Sequence, residues 1–310
     1  MPEAAAIAFA RKAYRKLSRR PDAALNEIPM RLLGLFTGRT VRTTVRGQPF
    51  FVDMRDVSVS ATILLQRKFE VRESSVASRL LKPGDYAIDI GANIGWYTAL
   101  FAELVGAAGH VLAVEPEPAN AALLKENVRI RHIEQMVTIA EAALGDQECM
   151  VKLGLASDQK GDHRVVTDLA NSRRETIDVP MVRLDDLASA WPRVDFLKMD
   201  IQGSEAGALH GMRSLLDRSP DAVLMVEYWP YGLRACGSEP IDLLNDLDAL
   251  GFQIWRITSE GPILDEVIRS DFAGFVDHVG HDEIIQAPNI LCARSAQRLT
   301  AVTLKAPPTG

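Results

Sequence analysis

The chain has 310 residues, of which 47% are hydrophobic and 25% are charged, and its formal net charge is −6. This composition is typical of a globular protein with a large core, and the negative charge argues against a nucleic-acid-binding surface, which needs clustered basic residues. The three cysteines are far apart in the sequence, so they predict neither a disulfide framework nor a metal cluster and favour a reducing, cytoplasmic compartment.

Residues 1–38 are predicted to form an N-terminal extension. Apolar and basic residues occupy opposite sides of a helical wheel over residues 3–20, which predicts a basic amphipathic helix. We expect its apolar stripe to pack on protein. The alternative is contact with an anionic membrane surface, at the inner face of the membrane. No apolar run approaches the roughly 20 residues that span a bilayer, and the order of charges differs from that of a secretion signal, so we expect neither a membrane span nor secretion.

Residues 39–84 are predicted to lead into the main domain. Alternating side chains over residues 40–53, interrupted at Gly47-Gln-Pro49, predict a β-hairpin. A helix is predicted over about 73–81. The sequence Lys-Pro-Gly-Asp at 82–85 then has the composition of a turn.

Residues 85–295 have the pattern of one α/β domain, and residues 296–310 are predicted to be a flexible tail. Segments long enough for helices separate five apolar strand candidates at 86–90, 111–115, 137–142, 194–199 and 222–227. This alternation predicts right-handed crossovers and a parallel sheet with helices on both faces. Two later strands, near 252–257 and 289–293, are predicted to close the far edge as an antiparallel pair. The predicted fold is therefore Rossmann-like, with a mostly parallel sheet of seven strands.

A glycine-bearing turn follows the first predicted strand, in the segment Asp89-Ile-Gly-Ala-Asn-Ile-Gly95. Glycine lets a ligand approach the backbone, and the start of the next helix offers unpaired amides. The second strand ends at Glu115, about twenty residues further on, where Rossmann-like folds place the carboxylate that binds ribose hydroxyls. The glycine spacing differs from that of dinucleotide sites, so it favours a cofactor without phosphates, such as adenosine joined to methionine. Ala142 and Ala143, after the third strand, are expected to flank the adenine.

Three acidic residues follow the fourth and fifth predicted strands. Asp200 ends the fourth strand, Glu205 comes soon afterwards near a helix start, and Glu227 ends the fifth strand. Because the carboxyl ends of parallel strands meet at one edge, all three are expected to face one crevice. They are candidates for a general base or for the ligands of a divalent cation such as Mg²⁺. Helix capping is the alternative for Asp200 and Glu205.

Two further residues are chemically informative. Lys198 lies within an apolar strand, so a carboxylate is expected beside its ammonium group. His163 lies in the polar segment 157–174, whose length and charge are typical of a substrate loop. We therefore include His163 among the candidate catalytic residues.

Three sequence blocks resemble the FkbM family of S-adenosylmethionine-dependent methyltransferases. They lie at 89–98, at 114–120, and at 195–205 followed by Leu-His-Gly at 209–211. The resemblance extends from about residue 50 to residue 227. Taken with the strand-end argument, the candidate cofactor-binding residues are Asp89, Gly91, Asn93, Gly95, Glu115, Pro116, Ala142 and Ala143.

The resemblance implies an O-methyltransferase that uses S-adenosylmethionine and modifies a hydroxyl of a small molecule, glycan or glycolipid. Gln202 departs from the family pattern, in which a glutamate is common at this position, so a catalytic role of that carboxylate would be absent here. One alternative is a nicotinamide-dependent oxidoreductase, against which the missing third glycine counts. Another is a noncatalytic binding protein that has kept the same fold.

Overall fold

A computed structural model describes residues 39–157, 159–167, 173–258, 263–279 and 287–304 of the chain. The helix expected at residues 3–20 lies outside the described residues, as do position 158 and residues 168–172 of the polar segment. No helix in the described part of the chain is both long enough and apolar enough to cross a bilayer.

From residue 86 onward the described elements include both strands and helices, with a run of five consecutive strands between residues 137 and 182. The strands are β1 (Thr40–Val45), β2 (Gln48–Asp53), β3 (Tyr86–Ile90), β4 (His110–Val114), β5 (Val137–Ala140), β6 (Ala143–Leu144), β7 (Cys149–Gly154), β8 (Arg164–Val165), β9 (Thr176–Val182), β10 (Phe196–Met199), β11 (Val223–Glu227), β12 (Gln253–Ile257), β13 (Ile263–Val267), β14 (Asn289–Ala293) and β15 (Thr303–Leu304). The α-helices are α1 (Val59–Gln66), α2 (Val71–Leu80), α3 (Trp96–Val105), α4 (Pro118–Ile130), α5 (Leu184–Leu187), α6 (Glu205–His210), α7 (Arg213–Asp217), α8 (Pro230–Ala235), α9 (Pro240–Ala249) and α10 (Phe272–Val279).

The main sheet has the order β15-β13-β12-β14-β11-β10-β3-β4-β5 within the described residues. Strands β3, β4, β5, β10 and β11 are parallel, and β14 runs antiparallel to both β11 and β12. The predicted Rossmann-like fold and its seven strands are confirmed. The antiparallel pair of β12 and β14 is also present, although β14 lies inside the sheet. Strands β13 and β15 extend the sheet beyond β12.

Alternate residues of the central strands face two separate apolar clusters. In β11, Val223 and Met225 belong to one cluster, whereas Leu224 and Val226 belong to the other. Helices cover both faces, so the strand is apolar throughout rather than alternating with polar residues. The continuous apolar runs seen in the sequence therefore mark the buried centre of the sheet.

The lead-in packs on one face of the sheet. Strands β1 and β2 pair antiparallel, which confirms the predicted hairpin. Asn127 on α4 accepts a hydrogen bond from the Phe51 amide at 2.6 Å and donates to the Phe51 carbonyl at 3.0 Å. A buried side-chain amide thus replaces a missing strand neighbour and ties the hairpin to the main domain.

A second sheet, of order β6-β9-β7-β8, is inserted between β5 and β10. The sequence predicts only a polar segment there. The outward face carries charged pairs such as Lys152 and Asp178, whose side chains are 2.8 Å apart across β7 and β9. Because these charges replace the apolar residues that mark a buried strand, the pattern resembles a loop.

Candidate active site

The site lies where the strand order of the main sheet reverses, between β3 and β10. Strands β4 and β5 extend from β3 in one direction, and β11 extends from β10 in the other. Open α/β sheets bind ligands at this point, outside the carboxyl ends of the strands. Here those ends lead into the turn at 91–95 and the loop at 200–204.

The turn at 91–95 requires glycine because two backbones meet there. Gly91 has φ +77°, and a Cβ atom at this position would lie 1.9 Å from the carbonyl oxygen of Asp200. Gly95 has φ +92°, and its Cβ would lie 2.6 Å from Leu124 Cδ1. Asn93, between them, has φ +50°. The turn therefore passes close against the end of β10.

Asp89 is buried near the end of β3, on the strand that leads into the turn. Thr98 Oγ1 donates to Asp89 Oδ2 at 2.6 Å, which links the strand to the first turn of α3. Asp89 Oδ1 is buried without a partner among the described residues. Burial raises the pKa of Asp89 above its ordinary value, although the charge of Lys198 acts in the opposite direction.

Glu115 braces the same turn from the end of β4. Its Oε2 accepts from the Asn93 amide at 2.8 Å, and its Oε1 accepts from the Glu117 amide at 2.9 Å. Burial raises the pKa of Glu115 to about 7, while the amides of Glu117 and Asn93 favour the ionised form. The carboxylate is thus fixed in place at the mouth of the crevice.

A cleft of about 530 Å³, partly open to solvent, lies over these strand ends. Six of the candidate cofactor-binding residues line it: Gly91, Asn93, Glu115, Pro116, Ala142 and Ala143. The other two, Asp89 and Gly95, do not line the cleft, and they help to hold the turn at 91–95 through the contacts described above.

The segment between β7 and β8 covers the cleft and is anchored to it through Lys160. The carbonyl of Lys160 accepts from Asn93 Nδ2 at 2.9 Å and from Asn120 Nδ2 at 3.2 Å. The Lys160 amide donates to Asp56 Oδ1 at 3.2 Å. These anchors were not predicted, because amide-to-backbone contacts leave no motif in the sequence.

His163 lies in this covering segment and lines the cleft. Its Nδ1 accepts from the Ala156 amide at 3.0 Å, and burial lowers the pKa of the ring below its usual value. A neutral ring whose Nδ1 accepts must carry its proton on Nε2. Nε2 is buried and has no partner among the described residues, so neither ring nitrogen is placed to accept a proton from a molecule in the cleft, and the catalytic role of His163 stays a prediction.

Lys198 and Asp200 form a buried ion pair, which confirms the carboxylate expected beside Lys198. Lys198 Nζ lies 3.0 Å from Asp200 Oδ2 and 4.7 Å from the centre of the Tyr97 ring. Burial acts to lower the pKa of Lys198, but Asp200, Glu70 and Asp89 raise it above its usual value. Burial acts to raise the pKa of Asp200, but the charge of Lys198 and several hydrogen bonds lower it. The pair is therefore ionised at neutral pH.

Gln202 connects Asp200 to Glu227. Its Nε2 donates to Asp200 Oδ1 at 2.7 Å and to Glu227 Oε2 at 2.8 Å. Burial, followed by the charges of Asp200 and Glu205, raises the pKa of Glu227 well above its ordinary value. The two carboxyl groups are therefore shifted in opposite directions, with ionisation favoured at Asp200 and disfavoured at Glu227.

Glu205 is fully buried and faces the loop rather than the cleft. Its Oε1 accepts from the amides of Ile201 and Gly203 at 3.1 and 3.3 Å, and its Oε2 has no partner among the described residues. Burial raises the pKa of Glu205 to about 7. Glu205 therefore holds the loop that precedes its helix, a role that differs from the helix capping expected as the alternative to catalysis.

The candidate metal ligands Asp200, Glu205 and Glu227 do not form a cation site. No group of three or more histidine, cysteine, aspartate or glutamate residues in the described part of the chain is arranged to hold a metal ion. Glu205 is directed to loop amides, and Gln202 stands between the other two. The expectation of Mg²⁺ therefore gains no support.

A second cavity, of about 400 Å³, shares Gly91, Asn93, Gly161 and Asp200 with the cleft. Its other walls are mostly apolar: Val59, Phe69, Ala92, Ile94, Trp96, Tyr97 and Lys198. The two cavities adjoin at Asp200, whose side chain is 22% exposed. This junction is the point at which a bound molecule could contact an ionised carboxylate.

Glu70 was not predicted and lies behind the second cavity. Tyr97 Oη donates to Glu70 Oε2 at 2.7 Å. Burial raises the pKa of Glu70 to about 7, although the charge of Lys198 favours ionisation. Glu70 has φ +39° at the start of α2, outside any recognisable motif, so only the tertiary contact with Tyr97 reveals it.

The sequence model of the Methyltransferase FkbM domain matches residues 89–254, which is more than half of the chain. The chain belongs to the FkbM methyltransferase family. The match spans the glycine turn, Glu115, the second sheet and the loop at 200–204. It confirms the family resemblance.

Individual relatives are more distant. The chain is 35% identical over 72 residues to a ribosomal protein L11 methyltransferase of Chloroflexus aurantiacus, covering 23% of the chain and 21% of that protein. It is 23% identical over 146 residues to Methyltransferase 1 of Beauveria bassiana, covering 41% and 58%. The crystal structure of Methyltransferase FkbM from Methylobacillus flagellatus KT is 15% identical, with a TM-score of 0.42, covering 75% of this chain and 52% of that one. The chain thus spans less than two thirds of each of these proteins.

Proposed function

We propose that the chain is an S-adenosylmethionine-dependent O-methyltransferase that acts on a hydroxyl of a sugar, glycolipid or secondary metabolite. The observation that carries the proposal is the junction of the two cavities at Asp200, beside the glycine turn of a methyltransferase family member. The cofactor supplies an electrophilic methyl group on a sulfonium. The task of the protein is to align an acceptor oxygen with that group and to exclude water.

The cleft fits the adenosine of this cofactor. Glu115 stands at the strand end where a ribose would bind, and Pro116, Ala142 and Ala143 offer apolar surface for a base. The missing side chain at Gly91 lets the turn pack directly against the carbonyl of Asp200, which brings the cleft and the acid together. The second cavity begins at the same turn, and we assign the methionine portion to it.

Asp200 is the residue best placed to orient the acceptor hydroxyl. It is the ionised member of the carboxyl pair, and Lys198 holds it in that state. A carboxylate with a lowered pKa is a weak base, so its main role is to accept a hydrogen bond and align the oxygen, taking the proton as charge develops. Burial and the neighbouring acids raise the pKa of Glu227 well above its ordinary value, which disfavours the ionised form that a base requires.

Calorimetric titration with S-adenosylhomocysteine tests the cofactor assignment. We expect saturable binding to the full chain, at least a tenfold weaker Kd for Glu115→Ala, since hydrogen bonds to a charged group contribute roughly 1.5–3 kcal/mol, and little response to NAD. Asp178→Ala, on the outward face of the second sheet, is the control and should bind normally. Saturable binding of NAD alone would reject the methyltransferase proposal in favour of an oxidoreductase.

Methyl transfer is then tested with radiolabelled S-adenosylmethionine and a panel of sugars, glycolipids and hydroxylated metabolites. The Asp200→Asn variant should bind S-adenosylhomocysteine but transfer methyl groups much more slowly to any acceptor that the unaltered chain accepts. Transfer only to amine or carboxylate acceptors would contradict the O-methylation proposal while leaving the cofactor assignment intact.

A further inference from the structure

Both carboxylate oxygens of Asp200 are held at the cavity junction. Lys198 Nζ lies 3.0 Å from Oδ2, and Gln202 Nε2 donates to Oδ1 at 2.7 Å. The same Nε2 donates to Glu227 Oε2 at 2.8 Å. One neutral amide therefore uses both of its protons to join two acids that end neighbouring strands.

The backbone around Gln202 is shaped to present this amide. Gln202 has φ +56° and Gly203 has φ +110°, a region that residues with side chains rarely adopt. A Cβ at Gly203 would lie 2.2 Å from the Gly232 carbonyl oxygen, and Glu205 accepts from the amides of Ile201 and Gly203. The loop is held from both sides, as is common where backbone strain positions a functional group.

Asp200 and Glu227 lie close enough to share a hydrogen bond, and the amide of Gln202 donates to both of them. Two carboxyl groups at close range repel each other when both are ionised, and they need donors or a cation between them. Oxygen ligands of this kind are those that divalent cations prefer. The amide of Gln202 supplies two N–H donors in that place, and Lys198 supplies the positive charge from the other side of Asp200.

We propose that Gln202 is a positioning residue that fixes Asp200 at the junction and stands where a divalent cation would otherwise bind. The site therefore orients its acceptor through Asp200, Lys198 and Gln202, with no cation between Asp200 and Glu227. The role of Asp200 in orienting an acceptor depends on the proposed methyltransferase function. The contacts of Gln202 with Asp200 and Glu227 are independent of that function, so they can be tested without cofactor or acceptor.

Two variants of the full chain separate the positioning role from simple packing. Gln202→Met keeps a side chain of similar length but removes both donors, whereas Gln202→Glu brings three carboxyl groups together. Binding of Mn²⁺ is followed by electron paramagnetic resonance and by thermal unfolding. We expect only Gln202→Glu to bind Mn²⁺, with a rise of about 2 °C or more in Tm at ten times its Kd. Adding Glu227→Gln to this variant should weaken Mn²⁺ binding at least tenfold.

Carbon-13 NMR of the Asp200 carboxyl group, assigned with Asp200→Asn, gives a direct readout of positioning. We expect the Asp200 resonance to shift in Gln202→Met because Oδ1 loses its donor. An unchanged resonance would overturn the positioning role. So would Mn²⁺ binding by the unaltered chain that Asp200→Asn abolishes, or a folded Gln202→Glu variant that binds no Mn²⁺. Failure to bind S-adenosylhomocysteine is a separate result and concerns the proposed function alone.

Discussion

At the scale of single residues, the closest contact in the site is between two backbones. Gly91 passes so near the carbonyl oxygen of Asp200 that no side chain fits between them. The glycine turn at 91–95 and the loop at 200–204 are thus in direct backbone contact. We therefore expect a change on either side to affect the other, which would couple the proposed cofactor cleft to the proposed acceptor junction.

Gly91→Ala should therefore damage both folding and binding. The new Cβ would lie 1.9 Å from the Asp200 oxygen, at a φ of +77° that alanine adopts poorly. We expect the free energy of unfolding to fall by about 3 kcal/mol or more, because strain of roughly 1–2 kcal/mol adds to a clash between main chains. Urea unfolding measures this loss, and calorimetry should show no binding of S-adenosylhomocysteine.

Gly47→Ala is the matched control. Gly47 has almost the same φ, +80°, but among the described residues beyond its chain neighbours no atom would lie within 4 Å of the new methyl group. Only the backbone strain remains there, so we expect a loss of about 1–2 kcal/mol and normal ligand binding. Equal losses in the two variants would show that the close approach to Asp200 contributes nothing.

The cofactor side of the site could be predicted at residue level, but the acid network could not. Gly91 and Glu115 occupy fixed places relative to consecutive strands, so their neighbourhood follows from chain order. Glu70, in contrast, reaches Lys198 through the tertiary packing of α2 on α3. His163 was recognised as a loop residue, but the nitrogen that carries its proton depends on the Ala156 amide.

At the scale of elements, β10 is unusual because it buries a cation in the centre of the sheet. Lys198 is 2% exposed and faces three acids, Asp200, Glu70 and Asp89, from different elements. One ammonium therefore holds together the ends of β3 and β10 and the start of α2. The ion pair therefore positions the elements that form the site and also balances the charge of the acids around Lys198.

Lys198→Met should be strongly destabilising at neutral pH. The methionine fills much of the same volume, but three acids lose their common cation. Breaking a buried ion pair costs about 3–5 kcal/mol, and we expect a loss in this range in urea unfolding. Adding Glu70→Gln should recover part of it by removing one of the acids.

Lys152→Met tests whether removing the lysine of any ion pair would destabilise the protein to the same extent. The side chains of Lys152 and Asp178 are 2.8 Å apart, close to the 3.0 Å of Lys198 and Asp200, but they are 39% and 58% exposed. Exposed pairs contribute less than about 1 kcal/mol, so this variant should remain close to the unaltered chain. A loss as large as that of Lys198→Met would contradict the importance of burial.

Whether a strand is buried or exposed also determines whether it can be predicted from the sequence. Strands β3, β4, β10 and β11 are covered on both faces, so their apolar runs are visible. The second sheet exposes one face, and pairs such as Lys152 and Asp178 conceal the strand pattern of β7 and β9. The sequence also shows no sign that β6 starts directly after β5, because both lie in a single apolar segment.

At the scale of the whole molecule, buried acids are set against a chain that already has a formal charge of −6. Burial raises the pKa values of Glu70, Glu115 and Glu205 to about 7. Each of these groups braces the site: Glu70 binds Tyr97, Glu115 holds the glycine turn, and Glu205 caps the loop at 200–204. Ionising these three glutamates in the folded protein therefore costs free energy.

This cost predicts that the protein becomes more stable as the pH falls from about 8 to about 6. In the unfolded chain the three glutamates titrate near pH 4.3. Between that pH and about 7 the folded protein retains protons that the unfolded chain has lost, so the free energy of unfolding falls as the pH rises. The slope is up to about 1.4 kcal/mol per pH unit for each group. His163, whose pKa is lowered by burial, opposes the trend as one group against three.

Urea unfolding at several pH values between about 6 and 8 measures the slope, and Glu205→Gln provides its control. Glutamine cannot ionise, and Glu205 Oε2 has no partner among the described residues that an amide would disturb. We expect the variant to have a shallower slope and to be at least as stable as the unaltered chain at pH 8. Carboxylates with lowered pKa values, such as Asp53 and Asp200, lose their contribution only in stronger acid. A stability that rises with pH across this interval would show that the buried glutamates are already ionised in the folded protein.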